Sequence, residues 1–230
     1  MLQPFFKWYL KKQRLFAAEG IKLKIYPGVF HPGIFFSTSV LSEFIKSLEL
    51  ENKKICDVGA GSGFLSMIAY KKGADVVAIE ISQIAVNGII ENFESNFKQE
   101  QNFKVFRSNL FDNVALDTFD FVFINPPYFF KSPTTAGSHA WYCGSNGEYF
   151  VKLFEQLKNF INTDTQTFMV LAENCEVRKI RSIAFDLGYD MVLILEQKKK
   201  WEKNFIFSIK MLGKKTNVNC KDAVAFNIIK

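Results

Sequence analysis

From residue 54 onward, short apolar runs alternate with amphipathic stretches. The runs at 54–58, 75–81, 103–107, 119–124 and 168–172 are rich in Val, Ile, Ala and Phe, and Phe121-Val122-Phe123-Ile124 has no polar alternation, as a strand buried on both faces requires. Between them, 64–71, 83–97, 148–161 and 176–187 carry apolar residues at three- and four-residue steps, which predicts helices. Gly73 and Gly188 stand where helix stops belong. Such alternation predicts a parallel sheet with helices on both faces. Near the C-terminus, 191–197 and 205–212 flank the polar segment 198–204 and predict an antiparallel hairpin at the sheet edge.

Ahead of the sheet, Ile21, Leu23 and Ile25 alternate with lysine, Pro27-Gly28 and Pro32-Gly33 punctuate the chain, and 40–48 reads as a helix. Residues 1–50 are too few for a core of their own and are expected to form a lid or cover over a main domain at 51–213. Residues 214–230 read as a polar tail with one apolar cluster at 223–229.

Composition narrows the class without naming a function. With 48% hydrophobic and 23% charged residues, the 230-residue chain falls outside the disordered, collagen-like and coiled-coil ranges. Its 26 Phe are largely absorbed by a doubly covered sheet, leaving Phe129, Phe130 and the Phe35-Phe36 pair as candidates for lining a pocket. The net charge of +6 would suit an acidic partner, but only Arg14, Arg107, Arg178 and Arg181 carry the guanidinium that forks onto phosphate and guanine. Cys56, Cys143, Cys175 and Cys220 are far apart and the histidines are His31 and His139, so no metal site is expected. No apolar run approaches the ~18 residues of a membrane span, and the lysine-containing start lacks a small-residue cleavage site. The expected home is a reducing cytoplasm, with no membrane partner.

The segment Ile55-Cys56-Asp57-Val58-Gly59-Ala60-Gly61-Ser62-Gly63 passes from an apolar strand into a helix, and its glycines allow the backbone to approach a ligand. A dinucleotide-binding turn wants a third glycine at position 64, where the chain has Phe64. As G-x-G-x-G preceded by an acid, the segment resembles motif I of the class I S-adenosylmethionine (SAM) methyltransferases. The resemblance implies that the loop Gly59, Ala60, Gly61 and Gly63 passes under the methionine part of the cofactor, with Asp57 near its amino group. Glu80 matches the acid that binds both ribose hydroxyls, which suits a carboxylate because a vicinal diol can donate twice. In Ser108-Asn109-Leu110-Phe111, Asn109 stands where relatives carry an Asp that accepts from the adenine amine, so a weaker contact is expected there.

Asn125-Pro126-Pro127-Tyr128 follows the fourth strand, at the end of the sheet where ligands of doubly wound folds bind. It offers an amide, two residues with no backbone N–H, and a ring. An NH₂ conjugated to a π system is a poor nucleophile. Acceptors on its two hydrogens, the Asn125 side-chain oxygen and the Pro126 carbonyl, would aim it and favour the positive charge that develops on attack. Tyr128 can stack on the planar group carrying that nitrogen.

The tetrapeptide resembles the (N/D/S)PP(Y/F/W) motif of amino-methyltransferases. With Ala136-Gly137-Ser138, Trp141 and Gly144-Ser145-Asn146-Gly147, the likeness is to the HemK-like branch, whose members methylate a glutamine amide in translation release factors. It extends over roughly residues 26–210. It implies an α/β, Rossmann-like, doubly wound, seven-stranded mostly parallel sheet with an antiparallel last strand and a short N-terminal cover. It also implies SAM as cofactor and a protein substrate, a release factor being one candidate. The segment Pro27-Gly28-Val29-Phe30-His31-Pro32 resembles the wider small-domain methyltransferases, including enzymes acting on guanine in rRNA and adenine in tRNA. Structured RNA therefore stands as the alternative substrate, and a non-catalytic SAM-binding relative as a third reading.

Overall fold

The computed structural model describes residues 12–98, 101–199 and 202–213. The predicted tail at 214–230, Cys220, and Lys200-Trp201 of the predicted hairpin tip lie outside the described residues.

The first elements among the described residues are an antiparallel pair, β1 (Arg14–Ala18) and β2 (Ile21–Ile25). They turn at Glu19 and Gly20, whose φ values of 54° and 73° suit a two-residue hairpin. The alternation at Ile21, Leu23 and Ile25 marked β2, whereas β1 was not foreseen. A two-stranded ribbon leaves backbone groups open along its outer edge, and here two asparagines close them. On the helix Gln83–Asn96, the Asn92 side chain accepts from the Lys24 N–H at 2.8 Å and donates to the Lys24 carbonyl at 3.0 Å. Asn96 does the same for Lys22, at 2.8 and 2.7 Å. The ribbon is thereby fastened to the layer beneath it.

Helix α1 (Phe36–Ser47) follows, starting four residues before the predicted position. Then come β3 (Lys54–Val58), α2 (Phe64–Lys71), β4 (Asp75–Glu80), α3 (Gln83–Asn96), β5 (Phe103–Arg107) and β6 (Phe121–Ile124). After a 3₁₀ turn at Ala136–Ala140 the chain continues as α4 (Glu148–Leu157), β7 (Gln166–Ala172), α5 (Val177–Asp186), β8 (Tyr189–Lys199) and β9 (Glu202–Met211). The predicted helix to 161 stops at Leu157 because the Phe160 carbonyl is drawn across to accept from the Phe119 N–H at 3.2 Å.

Seven strands form one sheet in the order β5-β4-β3-β6-β7-β9-β8. All run parallel except β9, which is antiparallel to both neighbours. The predicted edge hairpin is present, with β8 outermost and the reversed last strand inserted inside it. One face carries α1, α2 and α3, with Phe44 of α1 edge-on to Phe168 at 4.8 Å. The other carries α4 and α5 around Phe150, Phe154 and Leu153. Ile55, Cys56 and Val58 of the central β3 are fully buried between the layers. The chain winds outward from β3 through β4 to β5, then returns to β6 on the other side of β3. The crevice at the C-terminal ends of β3 and β6 is therefore the switch point where such sheets bind ligands. Among the described residues, no helix is long and apolar enough to cross a membrane.

Candidate active site

The glycine turn opens directly from β3. The N–H groups of Gly59 and Ala60 both donate to the Ile79 carbonyl at 2.9 Å, curling the loop over the end of β4. Gly59, Gly61 and Gly63 have φ values of 76°, 57° and 79°, where a side chain is strained. At Gly63 a Cβ would also lie 3.0 Å from Ile89 of α3, so this glycine permits close helix packing.

Glu80 joins the turn to the next helix. One carboxylate oxygen accepts from the Gly61 N–H at 2.9 Å and the other from the Ser82 N–H at 2.8 Å. Each oxygen keeps a further lone pair for a ligand. Burial raises the Glu80 pKa, and the N–H groups of Ser82, Gly61 and Ile81 oppose that rise. Asp57 is buried at 2% exposure and accepts from the Ser66 hydroxyl of α2 at 2.5 Å. Burial pushes its pKa up to about 6, against the Ser66 hydrogen bonds.

A cavity of about 320 Å³ occupies the crevice, within the order of size of small-ligand sites. Gly59, Ala60, Gly61 and Glu80 line one side, and Asn109 and Leu110 close it beyond β5. Asn125, Pro126, Pro127 and Tyr128 line it from the end of β6. Ten of the twelve predicted positions thus meet around one space. Asp57 and Gly63 do not line it: the first faces Ser66 beneath the loop and the second faces α3. Leu110 is buried with a φ of 55°, a conformation that costs a residue with a Cβ about 1 kcal/mol.

The Asn125 side chain is oriented by a residue the sequence did not single out. Its nitrogen donates to the Thr38 hydroxyl of α1 at 3.2 Å, and its amide oxygen has no hydrogen-bond partner among the described residues. Thr38 is 3% exposed and lines the cavity. Tyr128 is buried and edge-on to Phe129 at 5.0 Å, and burial raises the pKa of its phenol.

Above the cavity, Phe30 from the N-terminal segment meets Trp141 from the loop after the motif at 5.1 Å, and Phe35 meets the same ring at 4.8 Å. The two segments also touch through their backbones, since a Cβ on Gly137 would lie 3.3 Å from the Gly28 Cα. Of the phenylalanines suggested as lining, Phe129 lines the cavity, whereas Phe35, Phe36 and Phe130 do not. Phe130 instead lies under the Lys179 ammonium at 3.9 Å. Of the histidines, His139 lines the cavity. His31 is buried to one side, its Nδ1 accepting from the Gly33 N–H at 3.1 Å. Ser66 and Thr38 left one shared trace in the sequence, a hydroxyl on the apolar face of a helix. Tyr149 and Lys152 also line the cavity, from α4, and no motif marks them. Among the described residues, no group of three His, Cys, Asp or Glu could hold a metal ion.

A doubly wound sheet with this turn, this acid and an Asn-Pro-Pro-Tyr at its switch point defines the class of SAM-dependent methyltransferases. The sequence profile of the family described as "Methyltransferase small domain" matches residues 20–185, and the chain belongs to that family. It is 38% identical over 112 residues to a Methanocaldococcus jannaschii protein named "Putative protein N5-glutamine methyltransferase", covering 48% of this chain and 52% of that protein. The chain spans about half the length or less of the curated relatives it matches. A solved methyltransferase from Pyrococcus furiosus superposes with a TM-score of 0.61 at 22% identity, over 89% of this chain and 94% of that one. The 16S rRNA N2 G1207 methyltransferase of T. thermophilus, solved with AdoMet and guanosine, superposes at 0.60 with 17% identity, over 85% of this chain and 50% of that one. At such identities the likeness is of fold alone.

Proposed function

We propose that this protein transfers the methyl group of SAM to a planar NH₂ nitrogen, and that the acceptor is a glutamine side-chain amide of a protein substrate. The observation that carries the reading is the Asn125 amide, whose nitrogen is engaged by Thr38 so that its oxygen is left for a donor. Pro126 and Pro127 line the same wall and bring no competing N–H to it.

The cavity fits the cofactor on its own terms. A Cβ at Gly59 would meet nothing within 4 Å, so the turn presents bare backbone to open space. Glu80 retains lone pairs for the ribose hydroxyls, Asn109 keeps an acceptor oxygen for the adenine amine, and Leu110 supplies an apolar wall. Asp57 acts from beneath the loop, its charge favouring the cationic amino end without lining the cavity. When bound, SAM supplies an electrophilic sulfonium methyl. Asn125 and Pro126 would each accept one N–H of the incoming NH₂, fixing the nitrogen and stabilising the positive charge it acquires as the N–CH₃ bond forms and the S–CH₃ bond breaks; S-adenosylhomocysteine would leave as a neutral thioether, and the surplus N–H proton would pass to solvent. Tyr128 offers its ring to the planar group bearing that nitrogen.

The 38% identity to the glutamine methyltransferase relative favours a protein acceptor. The fold shared with the 16S rRNA enzyme and the aromatic roof of Phe30 and Trp141 favour a second reading, the exocyclic amine of an RNA base. Transfer of tritiated methyl from SAM into lysate fractions separates them. Label released by protease and resistant to ribonuclease supports the glutamine reading, and the reverse overturns it. No incorporation into either fraction would leave a non-catalytic SAM-binding protein.

A further inference from the structure

Tyr149 is the second residue of α4, and its N–H donates to the Cys143 carbonyl at 3.0 Å, tying it to the loop that follows the Asn-Pro-Pro-Tyr segment. Its ring stands edge-on to Phe150 at 5.3 Å. Its hydroxyl oxygen is buried and has no hydrogen-bond partner among the described residues, yet the residue lines the same cavity as Gly59, Glu80 and Asn125. Buried hydroxyls are rarely left unpaired in native structures, because stripping one of water costs stability that only a new partner returns.

We propose that Tyr149 is a cofactor-binding residue whose hydroxyl donates to the ribose hydroxyl that itself donates to Glu80. The assignment rests on reading the cavity as the SAM site. Glu80 already accepts from Gly61 and Ser82, so its remaining lone pairs can take only donors. A ribose hydroxyl that donates there keeps lone pairs of its own, and a phenol is the complementary donor. Burial, and then the charges of Glu80 and Asp57, hold the Tyr149 pKa well above its ordinary value, so it stays a protonated donor.

The test is calorimetric binding of S-adenosylhomocysteine and of 5′-methylthioadenosine to wild type and Tyr149→Phe, with melting temperatures of both ligand-free proteins. Methylthioadenosine keeps the ribose and adenine and lacks the amino acid. The variant is expected to bind both ligands about five- to tenfold more weakly, by a common factor, with an unchanged or raised ligand-free melting temperature, since it loses only an unpaired hydroxyl. Equal affinity of variant and wild type for both ligands would overturn the assignment. So would a loss confined to S-adenosylhomocysteine, which would move the contact to the amino-acid end. Failure of wild type to bind either ligand would bring down the cofactor reading itself, and the assignment with it.

Discussion

The Thr38 hydroxyl accepts from the Asn125 side-chain nitrogen at 3.2 Å, joining the first turn of α1 to the end of β6 across 87 residues of sequence. An amide side chain can present either its oxygen or its NH₂ to a cavity with little change in shape. Here the NH₂ is turned to Thr38, so the N-terminal segment holds the side chain of the acceptor wall in place.

Replacing Thr38 with Val keeps the shape and removes the acceptor. The amide is then free to rotate, and kcat is expected to fall about tenfold while the cofactor Kd changes little. Thr38→Ser should restore most of the rate, because it returns the hydroxyl. A drop equally large in the Ser variant would assign the effect to packing.

Asn125→Ala removes the acceptor itself and should lower kcat about a hundredfold with the cofactor Kd nearly unchanged, as deletion of a transition-state hydrogen bond does. If Thr38 acts only through Asn125, adding Thr38→Val to Asn125→Ala should cost no further rate. A double-mutant cycle in single-turnover methyl transfer reads this directly, and additive losses would separate the two residues.

Glu80→Gln should act on binding instead. Its NH₂ cannot accept from both Gly61 and Ser82, so one backbone donor loses a partner and a ligand hydroxyl loses a charged one. Hydrogen bonds to a charged group contribute about 1.5–3 kcal/mol, so the cofactor Kd should rise at least about tenfold, with saturated kcat little altered. Calorimetry and saturation kinetics on one preparation check both halves.

The sheet was legible because strands buried on both faces lack alternation, as Phe121-Val122-Phe123-Ile124 does. The turn and the Asn-Pro-Pro-Tyr segment were legible because their residue types are fixed by chemistry at strand ends. β1 was not. Its exposure alternates in the sequence Arg-Leu-Phe-Ala-Ala, where Leu15 is 79% exposed and points away from the core, so hydrophobicity misreports its face. Thr38 was obscured because Phe36-Ser37-Thr38-Ser39 has poor helix formers, which moved the predicted start of α1 to 40. Asp57 stood out in the sequence as an acid before the glycine turn, but spacing could not tell that its carboxylate turns down to Ser66, a contact that depends on how α2 docks.

That buried Asp57 predicts a particular dependence of stability on pH. Its pKa is pushed from 3.8 to about 6 by burial. Below about pH 4 both folded and unfolded chains carry the proton, and the group contributes nothing to pH dependence. Between about 4 and 6 the unfolded chain has released the proton that the folded chain retains, so folding takes up a proton and stability falls as pH rises. Above about 6 both forms are ionised and the penalty levels off, at about 3 kcal/mol for a shift of this size. Asp57→Asn keeps an acceptor for Ser66 and removes the titration. Urea unfolding of the two proteins should therefore show the Asn variant gaining on wild type by about 3 kcal/mol from pH 4 to pH 7, and no further above it. A difference that stays flat across that window would mean that Asp57 ionises in the folded protein as it does in water. A cationic group held over the loop draws the pKa back down. Binding of SAM near pH 6 should therefore release a proton, read by calorimetry in buffers of different ionisation heat, and Asp57→Asn should abolish that release.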